Sequence, residues 1–176
     1  MSKMLRFSAP LMLLLALSPA VAHAQEWKDF TSAECRCSAQ FPGMPQQRTQ
    51  PLQSKMGALE ARMIILDVPG TAFFALFHMD YPKDAVNSRK PDDLLADARD
   101  AAVANVKGKL GSETKITMNG FPGRELKIDA PGDMTLNARM YIVKERLYQA
   151  IVVLPKSREG SGDGKKFLDS FKFQKP

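Results

Sequence analysis

Only one long stretch of this sequence has the hydrophobic period of an α-helix, and it has to pack against strands. In residues 91–110 apolar side chains recur at steps of three or four residues, on one helix face: Leu95, Ala98, Ala102, Val106 and Leu110. Pro91 suits the first turn of a helix, where its missing N–H has no intrahelical partner. The sequence therefore predicts one long helix over residues 91–110.

Strand patterns lie on both sides of this helix. Residues 34–41 alternate between apolar and polar side chains, which indicates a strand with one buried face. Residues 71–79 are apolar on both faces, as in a central strand, and Pro51 makes residues 44–56 an irregular edge strand. Further strands are predicted at residues 60–68, 113–118, 124–129, 134–143 and 147–154, a charged loop at residues 81–90, and a short helix at residues 165–170. This order predicts an α+β domain with a mostly antiparallel β-sheet, one long helix and a short C-terminal helix.

The first 24 residues have the features of a cleavable export signal. Lys3 and Arg6 give a positive start, and residues 11–17 form an apolar run too short for the roughly 20 residues that span a bilayer. Small residues end the segment, so we expect cleavage between Ala24 and Gln25. Residues 25–176 would then fold as a single domain, which at this size buries about 70% of its unfolded surface. We expect this domain to be periplasmic or secreted and to have no transmembrane segment.

Several short motifs occur in a recognisable order along the chain. They are Phe41-Pro42-Gly43, Asp80-Tyr81-Pro82, Gly108-Lys109-Leu110, Pro122-Gly123-Arg124-Glu125-Leu126, Arg146-Leu147-Tyr148-Gln149 and Phe167-Leu168-Asp169-Ser170-Phe171. By these motifs the chain resembles small exported bacterial proteins that are similar to the PsbP-like α/β/α sandwich, named after an extrinsic protein of the photosynthetic oxygen-evolving complex. The resemblance covers most of residues 28–173. It implies a sandwich fold and a binding or assembly module with no known catalytic set.

Cys35 and Cys37 are the whole cysteine supply of the chain. Exported proteins favour disulfides, but residues i and i+2 of a strand have Cα atoms about 6.5–7 Å apart, at the far end of disulfide geometry. The spacing therefore favours two small buried thiols on the core face. A local disulfide, which would need a kink, and a thiol redox or soft-metal pair remain as alternatives.

Few residues offer chemistry beyond the cysteines. His78 is the only histidine after the expected cleavage site, and its place on an apolar strand favours a half-buried packing residue. No G-x-S-x-G, Walker A or G-x-G-x-x-G motif is present, and no cofactor or metal is predicted. The sequence favours a non-enzymatic binding or assembly module of unknown ligand. The alternative is a thiol redox or soft-metal factor that uses Cys35 and Cys37.

The outward positions of the predicted strands suggest a recognition surface. Arg139 and Tyr141 are out of phase with the apolar series of residues 136–142, so they should point away from that core, with Glu125 as a cross-strand partner. Arg and Tyr are enriched where binding energy concentrates. The competing interpretation places Tyr141 under a second layer of the sandwich. The formal net charge is +6, and loss of Lys3 and Arg6 with the signal would leave +4. This charge and an exported destination do not favour nucleic acid, so we expect an envelope protein or an anionic envelope component as partner.

Overall fold

The structure, a computed structural model, describes residues 26–54 and 57–174. The expected signal peptide, with Ala24 and Gln25, lies outside these ranges. The described strands are β1 (Lys28–Ser32), β2 (Cys37–Phe41), β3 (Gln46–Ser54), β4 (Gly57–Val68), β5 (Ala72–Asp80), β6 (Lys109–Met118), β7 (Phe121–Ala130), β8 (Met134–Val143), β9 (Arg146–Pro155) and β10 (Lys172–Phe173). The helices are α1 (Lys83–Asn87), α2 (Pro91–Asn105) and α3 (Asp163–Ser170), and a 3-10 helix spans Lys156–Ser161.

The strands form two antiparallel sheets. The main sheet has seven strands in the order β3-β4-β5-β9-β8-β7-β6, and the small sheet has the order β1-β2-β10. Each neighbouring pair runs antiparallel. The predicted α+β class with a mostly antiparallel sheet is confirmed. Strand β3 lies at an edge of the main sheet, as the prolines in that segment predicted.

Separate hydrophobic cores cover the two faces of the main sheet. On one face α2 packs against β7 and β8, and its buried Leu94 and Leu95 belong to the same hydrophobic cluster as Leu126 and Met140. On the other face the small sheet and α3 bring Phe41 and the three residues Phe167, Phe171 and Phe173 onto the sheet. Strands β8 and β9 are therefore buried over most of their length, whichever way a side chain points.

The long helix is shorter than its apolar stripe predicted. Leu95, Ala98 and Ala102 are buried as expected, but α2 ends at Asn105. Leu110 lies instead in β6 and is 38% exposed. Lys107 has a φ of 50°, which breaks the helix, and the following Gly108 runs so close to β7 that a Cβ there would lie 2.6 Å from the carbonyl oxygen of Asp129. A helix continued to residue 110 could not make this close approach.

Other boundaries also differ from the sequence prediction. The strand predicted at residues 34–41 begins only at Cys37, because the preceding residues form a turn. The loop predicted at residues 81–90 contains the short helix α1. The predicted C-terminal helix is present as α3 and packs on β2 and β9. Within the described ranges, no helix is long and apolar enough to cross a membrane.

Candidate functional site

A row of polar and aromatic side chains crosses the main sheet beneath the small sheet. Directly paired residues run from Thr49 on β3 to Arg62 on β4, His78 on β5, Tyr148 on β9 and Tyr141 on β8. Because paired residues of neighbouring antiparallel strands point to the same face, all five belong to one face of the sheet. The two tyrosines are covered by other elements, whereas the opposite end of the row is open to a pocket.

A disulfide joins Cys35 and Cys37 in the turn between β1 and β2, and we call residues 33–37 the disulfide loop. The two Cα atoms are 5.1 Å apart, closer than in an extended strand, since Arg36 has a φ of 54°. Both cysteines are buried, at 0% and 1% exposure. The structure thus has the kinked local disulfide rather than the two buried thiols that the strand spacing favoured.

The disulfide loop is held on the sheet through its backbone carbonyl groups. The hydroxyl of Tyr148 donates to the carbonyl oxygen of Cys35 at 2.8 Å. The Arg146 guanidinium donates to the carbonyl oxygens of Glu34 and Cys35 at 3.0 and 3.2 Å. Its Nε and Nη2 also donate to the two carboxylate oxygens of Asp80 at 2.6 and 2.7 Å, which lowers the pKa of that carboxyl group. Strands β5 and β9 therefore fix the position of the loop.

The proposed recognition residues Arg139 and Tyr141 do not form an exposed surface. Tyr141 is only 2% exposed, and its ring lies 5.6 Å from the ring of Phe173 on β10. Its phase along β8 is as predicted, but the face it points to is covered by a second layer. This burial matches the competing interpretation given for Tyr141.

Arg139 of β8 binds α3 to the main sheet. Its guanidinium pairs with the carboxylates of Glu125 and Asp169 and donates to the carbonyl oxygen of Leu168 at 3.1 Å. The predicted cross-strand partner Glu125 is therefore in contact. The side chain is 22% exposed, and its hydrogen-bonding capacity is directed to α3 and β7 rather than to solvent.

A pocket of about 120 Å³ opens at the other end of the row. Thr49, Arg62 and His78 line it from the sheet, and Glu34 of the disulfide loop lines it from above. The Arg62 Nε lies 3.1 Å from a carboxylate oxygen of Glu34, and Nη2 lies 2.7 Å from one of Glu60. The pocket is therefore polar and already contains one ion pair.

His78 is more deeply buried than the sequence predicted, at 3% exposure. Burial lowers the pKa of its imidazole to about 4, and the positive charge of Arg146 acts in the same direction. The ring is therefore neutral at neutral pH, with one nitrogen that donates and one that accepts. Among the residues that the structure describes, no group of three or more His, Cys, Asp or Glu side chains could hold a metal ion.

A larger and more open groove of about 450 Å³ lies on the outer side of the small sheet and α3, and we call it the α3 groove. Most of its lining residues are polar or charged, and the charges have both signs: Asp29, Ser38, Ala39, Gln40, Lys166, Asp169, Ser170 and Lys172. The Lys166 ammonium also lies 4.6 Å from the centre of the Trp27 ring. The outward phase of Ser38 and Gln40 was visible in the sequence, but the approach of α3 to β2 was not.

No protein-family model matches the sequence, and no curated protein matches it. Among solved structures, the chain is similar to the solution structure of cyanobacterial PsbP (CyanoP) from Synechocystis sp. PCC 6803, with a TM-score of 0.57 and 8% sequence identity. The alignment covers 89% of this chain and 98% of that chain. At this identity the likeness concerns the fold, and it confirms the PsbP-like fold that the sequence motifs predicted.

Proposed function

We propose that this protein is an exported, non-enzymatic binding or assembly module that recognises an envelope protein through the α3 groove. The observation that carries the proposal is the contrast between this open polar groove and the interior. The disulfide and His78 are buried, whereas the groove presents side chains such as Lys166 and Lys172 at the surface. The groove therefore offers charged side chains that a partner can reach, which the buried disulfide and His78 do not.

The charge pattern of the groove indicates the kind of partner. Two lysines, Lys166 and Lys172, alternate with the acidic Asp29 and Asp169, so the lining has little net charge. A polyanion would require a continuous positive patch. Complementary charges of both signs suit a polar protein surface, where they determine specificity and orientation. We therefore favour an envelope protein over an anionic envelope polymer.

Export is supported by the composition of residues 1–24 and by the disulfide. A disulfide is typical of an oxidising compartment such as the periplasm or the exterior. The test is N-terminal sequencing of the protein recovered from the cell envelope. We expect the chain to begin at Gln25, and recovery of a chain that still begins at Met1 would contradict a cleaved signal.

The redox alternative finds less support in the site. An exchanging thiol pair has to be reached by a partner thiol, and such pairs sit in partly exposed, electropositive surroundings. The sulfurs of Cys35 and Cys37 are covered, and the loop carbonyls above them are bonded to β9. No observation favours a second function over partner binding.

A paired charge-reversal experiment tests the proposal. The double variant Lys166→Glu and Lys172→Glu changes the groove, while Lys83→Glu and Lys90→Glu makes the same charge change near α1, which packs on the opposite face of the main sheet. In a pull-down from envelope extract, we expect the wild type and the α1 variant to retain the same partner and the groove variant to lose it. Equal recovery by both variants, or no partner for the wild type, would overturn the proposal.

A further inference from the structure

The pocket beside His78 is separate from the α3 groove, and its size limits what it can hold. Its volume is about 120 Å³. Sites for whole drug-sized ligands are larger, at about 300–1,000 Å³. The pocket therefore suits a group of a few non-hydrogen atoms, either a very small molecule or the end of a longer one.

The lining of this pocket is rich in hydrogen-bond donors. The Arg62 guanidinium, the Thr49 hydroxyl and the neutral His78 imidazole come from three adjacent strands and line the same space. Arg48 also borders the pocket, but it alternates with Thr49 along β3, so its guanidinium points to the opposite face, where it donates to the amide oxygen of Gln46 at 3.2 Å. Such a set of donors, with the charged Arg62 guanidinium among them, suits an acceptor that carries negative charge.

One carboxylate already occupies a place on this donor set. The side chain of Glu34 lies 3.1 Å from Arg62 Nε, yet it is 57% exposed. Exposed ion pairs of this kind contribute little to stability, so another carboxylate can replace it at low cost. The disulfide loop itself is held by its backbone carbonyls, on Tyr148 and Arg146, and these bonds do not involve the Glu34 side chain. The side chain can therefore leave Arg62 while the loop stays in place.

We propose that the pocket between Arg62, His78 and Glu34 binds a carboxylate group, which takes the place of the Glu34 side chain on the Arg62 guanidinium. The carboxylate accepts hydrogen bonds from Arg62 and from the His78 ring. It belongs either to a small organic acid or to the chain end of a peptide. The proposal does not rest on the α3 groove, whose residues are elsewhere.

The direct probe is the imidazole signal of His78 in the NMR spectrum of the mature protein, where it is the only histidine. Besides Arg62 and Glu34, the charged groups that affect this ring are Asp80 on its own strand and Arg146 on β9. We expect added acetate to shift the signal saturably.

Two matched variants separate displacement of Glu34 from a general change of charge. Glu34→Gln removes the internal competitor and should bind acetate up to about fivefold more tightly, the range of an exposed ion pair. Glu60→Gln removes the other carboxylate on Arg62, which does not line the pocket, and should change the affinity by less than about twofold. Arg62→Gln should weaken binding by about tenfold, since it removes the charged donor.

A second pair of probes distinguishes the sources of the carboxylate. We compare acetate with an acetylated tetrapeptide that ends in a free carboxylate and with the same peptide as an amide. A peptide acid that binds more tightly than acetate identifies a chain end, and equal binding identifies a small acid; both outcomes support the proposal. Equal binding of the amide, or no saturable shift with acetate or peptide acid in either the wild type or Glu34→Gln, would overturn it.

Discussion

The hydroxyl of Tyr148 donates a hydrogen bond of 2.8 Å to the carbonyl oxygen of Cys35. A residue of the main sheet thereby holds the loop that contains the disulfide, although the two residues are far apart in sequence. The same oxygen accepts a second hydrogen bond from Arg146 at 3.2 Å. Strand β9 therefore fixes the disulfide loop, which in turn places Glu34 over the pocket.

Removal of this hydroxyl tests how far β9 contributes to the loop. Tyr148→Phe should lower the free energy of unfolding by about 1 kcal/mol, because the buried carbonyl keeps only the bond from Arg146. Tyr141→Phe is the matched control, since Tyr141 is equally buried and its ring packs on Phe173 of β10. Urea denaturation of both variants provides the measurement. Equal losses for the two tyrosines would show that the Tyr148 hydroxyl has no special role.

The disulfide should stabilise the protein only modestly. Its two cysteines are separated by a single residue, and a loop this short gives about 1.5 kcal/mol in the chain-entropy account, below the 2–4 kcal/mol usual for disulfides. We expect the reduced protein to remain folded and to unfold at a slightly lower denaturant concentration. Denaturant curves with and without a reductant measure this difference. Complete unfolding on reduction at 25 °C would contradict the expectation.

The alternation of residues in β8 and β9 allowed the phase of these strands to be predicted, but not what covers them. Met140 and Tyr141 lie on opposite faces as period 2 requires, and both are buried. Whether the second face meets solvent depends on where the small sheet and α3 pack, which is a tertiary property. A strand that is covered on both sides has no solvent-exposed face, so polar and apolar residues need not alternate along it.

The pocket beside His78 could not be predicted from the sequence, because it also depends on tertiary structure. It depends on the register that places Arg62 beside His78, and on the left-handed conformation of Arg36 that turns Glu34 toward the sheet. Neither the exact register across the turn between β4 and β5 nor a single positive φ at a non-glycine residue leaves a periodic signal. The end of α2 at Asn105 could not be predicted from the sequence either, because the close approach of Gly108 to β7 is a tertiary contact.

Stability should decrease as the solution is acidified from pH 6.5 to about pH 4. The pKa of His78 falls from 6.5 in the unfolded chain to about 4 in the folded protein, because burial disfavours the charged ring. Between these values the unfolded chain binds the proton more strongly, so folding loses up to about 3 kcal/mol as the pH falls.

His78→Gln provides the control for this pH dependence. Its free energy of unfolding should depend much less on pH between 6.5 and 4.5, above the range where most carboxylates titrate. The measurement is urea denaturation at several pH values for the variant and the wild type. Parallel curves for the two proteins would rule out His78 as the source of the decrease.

Arg124 should be the most important ion-pairing residue for the attachment of α2. Its side chain is only 7% exposed, and it pairs with Asp92 of α2 and Glu113 of β6 at 2.8 and 2.9 Å. Arg124→Met should cost about 2 kcal/mol, below the full cost of a broken buried pair because both partners keep some solvent. Lys115→Met removes a 74% exposed partner of the same Asp92 and should cost less than about 0.5 kcal/mol. Thermal denaturation compares the stability lost in the two variants. A larger loss for Lys115→Met than for Arg124→Met would contradict the importance assigned to Arg124.

The central claim, that the α3 groove recognises an envelope protein, is tested most directly by site-specific photo-crosslinking in living cells. A photoreactive phenylalanine analogue is placed at Lys172 in the groove and, as control, at the exposed Lys90 next to α2, on the opposite side of the main sheet. We predict one discrete adduct with an envelope protein from position 172 and none from position 90. The same adducts from both positions, or none from the groove, would contradict the claim.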